Sequence, residues 1–320
     1  MALIEPYMIK TKIGLGADEC LELEAKSGES LLVKDIIISG TNDSYALLEI
    51  DKTTVGFFRV TTAYTGSHLY PCRAVVAENP YYCCLSPLPS ATLLSYLIRK
   101  GWMRGYPVAE GQKFRVKPYT SGKKLGTVII VYEKYDAGDI KATDPNGSEA
   151  SEYVFISYGR PSSSLTTAGD YLVNNPITTK EFPNFPFGVE VPSKTTIEVL
   201  GILGSEALNY VDANTYTYTK YLKLFKGRTC LFDRDKQGLM FYQTTFSGIS
   251  AGNYVARGVS VIGNFSSKDR RHPFIPPAPL VFTSGDEVNV YITAGQATNA
   301  GNLAPEFLEI GFIERVKIAE

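Results

Sequence analysis

The side chains best suited to chemistry are few in this 320-residue chain, and their spacing does not assemble a site. There are two histidines, His68 in "YTGSHLYP" and His272 in "KDRRHPF". Both contexts read as loops, so no histidine-rich metal cluster is expected. Cys72 follows His68 by four residues, a spacing open to a metal or a nucleophile, but no second pair completes it. The five cysteines, Cys20, Cys72, Cys83, Cys84 and Cys230, are odd in number and irregular in spacing, which is not a disulfide framework. They read as small buried hydrophobes. The run "DRDKQG" from Asp233 opens like a calcium loop. Gln237, however, replaces the required Asp or Asn, and Thr244 stands where a bidentate Glu would close the loop. A solvated hairpin turn is the expectation there. "GLGADE" from Gly14 reads as lacking a preceding strand of suitable length and a following helix with a phosphate-binding pattern, so it is not a nucleotide loop. A G-x-S-x-G nucleophile elbow does not occur. The sequence therefore predicts no catalytic, cofactor-binding or metal residues, and a protein that is not an enzyme. Paired carboxylates for glycoside hydrolysis are set in space and not in sequence, so a sugar-acting enzyme stays open as the third of three readings.

Composition narrows the classes further. Hydrophobic residues make up 44% and charged residues 20%, with 21 Tyr and 16 Phe. That is enough apolar material for a sizeable core and suits half-buried pleated surfaces. The formal net charge is -1, and basic residues are scattered apart from Lys268 to Arg271, so no direct nucleic-acid binding is expected. Glu5 and Pro6 interrupt the N-terminal "MALIEPYMIKTKIG", which therefore does not read as a signal peptide. No apolar run approaches the ~18 residues of a membrane span. These features predict a soluble product made in the cytoplasm.

The elements around these residues are mostly strands. Short apolar and β-branched runs recur between Gly, Pro, Asn and Asp: "SLLVKDIIIS" from Ser30, "YALLEI" from Tyr45, "VGFFRVTT" from Val55, "GTVIIVYEKY" from Gly126, "TIEVLGIL" from Thr196, "TYTYTKYLKLF" from Thr215, "GLMFYQTTF" from Gly238 and "YVARGVSVIG" from Tyr254. This spacing predicts an all-β sandwich or barrel. One segment reads as a helix, from about Ser90 to Lys100. Ser90 can cap it, Leu93, Leu94, Leu97 and Ile98 share a face, and Gly101 can close it. "HPFIPPAPLVF" from His272 reads as a stiff crossover into the last two strands.

The chain also writes one ending twice. "GQKFRVKPYT" from Gly111 and "GDEVNVYITA" from Gly285 each follow a polar turn, alternate apolar residues, and lead through a second turn to a longer apolar run. Upstream, "LELEAKSGESLLVKDIIISG" from Leu21 resembles "VEVPSKTTIEVLGILGSE" from Val189. Each is a short alternating strand, a Lys-containing turn and a longer strand. The acidic, turn-rich stretch from Asp136 to Glu152 separates the copies. The expected organisation is a first sandwich over 1–136, a linker over 137–152 and a second sandwich over 153–320.

On these paired runs the chain resembles the double jelly-roll major capsid proteins of tailless icosahedral viruses of bacteria and archaea, some of which contain a membrane. The resemblance covers about residues 18 to 317. It implies two tandem antiparallel jelly-roll β-sandwiches; family members often carry a helix beside each sandwich, and here the residues give one short helix, in the first half. It also implies a homotrimer that tiles with neighbouring capsomers into a virion shell, minor capsid proteins as further partners, and no cofactor. Contact with an internal lipid membrane, if made, would fall to the first dozen residues with Lys10 and Lys12. The alternative reading of those residues is an arm lying on a neighbouring subunit. The rival function is a glycan-binding or host-attachment protein, a fibre or spike with two β-sandwich modules.

Overall fold

The computed structural model describes residues 2–40, 44–60, 93–118, 125–140, 152–165, 167–173, 175–176, 190–204, 219–231, 239–240, 275–294 and 310–319. They are dominated by antiparallel strands, with one short helix, so the fold is all-β. The chain divides into two compact units, mainly between Phe155 and Ile156.

The N-terminal half runs β1 (Leu3–Leu15), β2 (Leu21–Glu24), β3 (Glu29–Gly40), β4 (Ser44–Ile50), β5 (Thr53–Val60), α1 (Leu93–Arg99), β6 (Tyr106–Val108), β7 (Lys113–Pro118) and β8 (Leu125–Asp136). Its sheets have the orders β1-β8-β3-β6 and β2-β7-β4-β5. The C-terminal half runs β9 (Glu152–Arg160), β10 (Gly169–Leu172), β11 (Asn175–Pro176), β12 (Thr195–Gly204), β13 (Thr219–Lys226), β14 (Thr229–Cys230), β15 (Leu239–Met240), β16 (Leu280–Thr283), β17 (Val288–Ala294) and β18 (Ile310–Ile318). Its sheets have the orders β11-β9-β18-β12-β16 and β10-β17-β13-β14, with β15 also on β13. With the two-residue β11 and β15 set aside, the orders match strand for strand: β9-β18-β12-β16 repeats β1-β8-β3-β6, and β10-β17-β13-β14 repeats β2-β7-β4-β5.

Alternation explains the strands of the repeated ending. In β7, Phe114, Val116 and Pro118 are buried while Lys113, Arg115 and Lys117 are partly exposed. The register places Leu23, Phe114 and Ile50 in one buried row and Leu21, Val116 and Leu48 in the next. In β17, Val288, Val290 and Ile292 are buried, the last two opposite Leu224 and Leu222. Between the sheets of the first unit, Tyr106 of β6 and Phe114 of β7 bring their ring centroids to 5.6 Å.

The turns repeat as well. The amide of Gly111 donates to Ala25 and that of Ala25 to Gln112; in the second unit Gly285 donates to Val191 and Val191 to Asp286. Both glycines have positive φ, 81° and 82°. The turns ahead of β3 and β12 match too, Glu29 N–H reaching Lys26 O at 3.1 Å and Thr195 N–H reaching Pro192 O at 3.2 Å. Their third residues are left-handed: Gly28 at 85° and, unusually for a residue with a side chain, Lys194 at 61°. Left-handed backbone costs an L residue roughly 1–2 kcal/mol, and glycine escapes that cost at some expense in chain entropy. Lys194→Gly should therefore be neutral or stabilise by up to ~1 kcal/mol, whereas Gly28→Val should destabilise by about 1–2 kcal/mol. Denaturant titration of the two variants checks the opposite signs.

Even an irregularity is shared. β3 carries a bulge between Val33 and Asp35 where it pairs with β8, and β12 carries one between Val199 and Gly201 where it pairs with β18. Each adds one residue, Lys34 or Leu200, at the same point of the ladder, which bends the strand and increases its twist.

The helix forms as its leucine stripe predicts. Leu94 and Leu97 are fully buried and α1 packs beside β3. Gly101 ends it at φ 73°: its N–H donates to Ile98 O at 2.9 Å, and that of Trp102 to Leu97 O at 3.0 Å. These two bonds are the Schellman pattern that satisfies the orphan carbonyls. The described helix spans seven residues; the proposed cap, Ser90, lies outside the described residues. Leu97→Ala should cost about 2–5 kcal/mol through the cavity left behind, read as a drop in thermal stability.

Two expectations are adjusted. Within the expected linker, residues 137–140 pack on the first unit: Ala137 N–H donates to Gly28 O at 3.2 Å, and Ile140 is buried. Residues 141–151 are outside the described residues. The stretch read as a crossover from His272 contains strand β16, which pairs with β12.

Candidate assembly surface

Most positions singled out for chemistry, namely His68, Cys72, Cys83, Cys84, Asp233, Gln237, Thr244 and His272, lie outside the described residues. Cys20 and Cys230 are described, and both are free thiols. Cys20 is exposed, which corrects the expectation of burial. It closes the turn after β1 and so falls outside the alternating positions that point into the core. Gly14 is likewise reinterpreted. A strand does precede "GLGADE", since Gly14 is the penultimate residue of β1, at φ 70°. The following chain turns into β2 and not into a helix.

Among the described residues no group of three or more His, Cys, Asp or Glu side chains could hold a metal ion. One cleft of about 540 Å³ lies at an end of the second unit, lined by Glu190, Lys226, Gly227, Thr229, Leu231, Gly285, Asp286 and Glu287. Its charges are largely spoken for. Lys226 Nζ sits 2.9 Å from Asp286 Oδ2, and the Thr283 N–H and hydroxyl donate to the same oxygen. The hydrogen bond from Lys226, with those from Thr283, holds the Asp286 carboxyl below its usual range. Asn289 donates to Glu287 at 2.7 Å. This is the chemistry of a braced turn.

Charge on the sheet faces is arranged the same way. Glu22 receives Lys113 at 2.8 Å and Arg115 at 2.9 Å across β2 and β7, and these hydrogen bonds lower its pKa. Lys117 meets Glu49 at 2.6 Å. In the second unit, Arg315 and Lys317 flank Glu198, and Lys223 holds Asp170 at 2.8 Å. Cross-strand pairs like these keep a face solvated and add a modest stabilisation each.

Strand β1 is different. The described chain exposes seven large hydrophobic residues, and five of them, Leu3, Ile4, Tyr7, Ile9 and Ile13, belong to this one strand. Ile13 is 80% exposed. The strand is thirteen residues long, pairs with β8 on one side, and ends its sheet among the described strands. It thus presents an edge of backbone donors and acceptors beside an apolar surface, the combination that invites another chain. Residues 3–12 are therefore part of a sheet. Lys10 is exposed on this strand, and Lys12 lies 3.4 Å from Glu19. Sequence reasoning passed over β1 because Glu5 and Pro6 break its start, although Ile9, Thr11 and Ile13 alternate with Lys10 and Lys12 beyond them.

None of the described helices is long and apolar enough to cross a membrane. No protein-family model matches the chain, and no curated protein matches it in sequence.

Proposed function

We propose that this chain is a structural shell protein whose work is done by its surfaces, and that each unit is a jelly-roll sandwich. The carrying observation is the doubled strand order. In each half the first and last long strands are neighbours, the third lies beyond the last and the sixth beyond the third, and the other four strands make a second sheet in the order two, seven, four, five when β11 and β15 are set aside. This doubled order supports the jelly-roll reading, and the rigid sheets of such a sandwich suit lateral packing. Two such units give one chain two similar walls, and three chains then present six. Closure of the trimer follows from head-to-tail contacts between the first unit of one chain and the second of the next. The exposed apolar strand β1 supports a chain built for association.

Sedimentation velocity tests this reading. It predicts a species of three times the chain mass, stable on dilution, with a permanent interface above ~2,000 Å². The rival, a glycan-binding attachment protein, draws on the polar cleft at Glu190, Lys226 and Asp286. A stable monomer that binds a glycan array tightly would favour it over the shell.

A further inference from the structure

We infer that β1 is a two-fold contact through which one copy of this chain joins another, edge to edge and antiparallel, in a register centred on Ile9. Its role rests on the shell reading, which it deepens; its geometry follows from β1 alone.

The register with β8 fixes which β1 side chains share a face. Glu5, Met8, Lys10 and Lys12 lie opposite Lys134, Tyr132, Ile130 and Val128, so they project from one face. Leu3, Ile9, Thr11 and Ile13 lie opposite Tyr135, Val131, Ile129 and Thr127, and project from the other. With β8 as a ruler across the irregularities near Glu5, a two-fold axis through Ile9 sets Ile9 against its copy. It sets Met8 against Lys10, Glu5 against Lys12, and Leu3 against Ile13. One face then pairs apolar with apolar at Ile9 and at both Leu3–Ile13 positions, while Thr11 falls opposite the irregular stretch between Glu5 and Met8. The other pairs a carboxylate with an ammonium twice, once on each side of the axis.

Other occupants fit less well. Lysine, proline and bulges on an edge ordinarily discourage pairing with a passing strand. β1 has all three, in Lys10, Lys12 and Pro6 and in the register shifts at Glu5. The self-complementary register places each Lys12 beside a Glu5, so the same features that repel a stranger admit a second copy. Lys12 already leans on Glu19 at 3.4 Å, and both remain partly exposed and able to take a further partner. A two-fold contact is isologous, unlike the head-to-tail contacts of a closed trimer, so it would join one trimer to the next.

Position-specific crosslinking of the full chain tests the register. Residues directly opposite in an antiparallel pair have Cα atoms about 4.5–5.5 Å apart, within disulfide reach. Ile9→Cys should yield a disulfide-linked dimer on mild oxidation, well above the background of the native cysteines. Ile13→Cys should not, because its own copy would lie about 27 Å away along the strand. Glu5→Lys should raise the concentration needed for trimer–trimer association at least tenfold, and Glu5→Lys combined with Lys12→Glu should restore it. Trimers that associate normally without an Ile9→Cys dimer overturn the inference and leave the shell reading standing. So does a charge swap that changes nothing while the wild-type chain co-sediments with anionic phospholipid vesicles through β1. A wild-type chain that never self-associates overturns both.

Discussion

Gly105→Ala should lower the melting temperature of the N-terminal unit by roughly 6–12 °C, the equivalent of about 3 kcal/mol in a unit of this size. The reason is local and steric. Gly105 has φ +133°, a region that residues with side chains rarely adopt, and a Cβ there would stand 2.3 Å from the carbonyl oxygen of Val33. That oxygen belongs to backbone at the β3 bulge, so no flexible side chain can move aside. Strained backbone costs about 1–3 kcal/mol and overpacking a similar amount. Gly138→Ala is the control. Gly138 also has positive φ, +83°, but an added Cβ meets nothing within 4 Å. It should lose only about 1 kcal/mol. Equal losses in the two variants would show that β6 does not pass close to the bulge.

Phe114→Ala should cost about 3–5 kcal/mol, among the largest losses open to a single core substitution. Its ring is fully buried in the row with Leu23 and Ile50, and it meets Tyr106 of the other sheet at 5.6 Å with the rings tilted by 32°. Removing it leaves a cavity between the two sheets and strips one side from Tyr106, whose phenol burial already pushes far above its ordinary range. Phe225 offers the contrast. It also has an aromatic neighbour, Tyr291, edge-on at 5.6 Å, but it is only half-buried. Phe225→Ala should cost clearly less, about 1–2 kcal/mol. Urea unfolding of both variants, with fluorescence and circular dichroism followed together, separates them. Similar losses would mean that the aromatic pair matters and the space between the sheets does not.

Much of the fold could be read from residue order because burial on one face writes itself as alternation. The strands at Lys113–Pro118 and Val288–Ala294 follow that rule, those at Leu125–Asp136 and Thr195–Gly204 carry longer apolar runs buried on both faces, and Gly101 announces the end of the helix. What escaped reading is set across strands and not along them. Strands β6 and β16 have three and four residues, too few to show a period, and exist because β3 and β12 offer them an edge. The matched bulges are invisible in sequence, since Lys34 and Leu200 share no chemistry, only a place in the ladder. The duplicated turns were masked for a similar reason. Left-handed backbone is met by Gly28 in one copy and Lys194 in the other, and by Asp51 in one hairpin where its counterpart has Gly227. Asp51 sustains its conformation by accepting the Lys113 N–H at 2.9 Å. The candidate surface was the least legible part. Ile9 and Ile13 look like core residues in a string of letters, and only the order of strands puts β1 at an edge.

Electron microscopy of the purified chain under assembly conditions, at high protein concentration and varied ionic strength, tests the central claim most directly. The shell reading predicts trimers of pseudo-hexagonal outline that associate side by side into closed particles or curved sheets. A field of dispersed monomers under every condition, from protein shown by its unfolding transition to be folded, would contradict it.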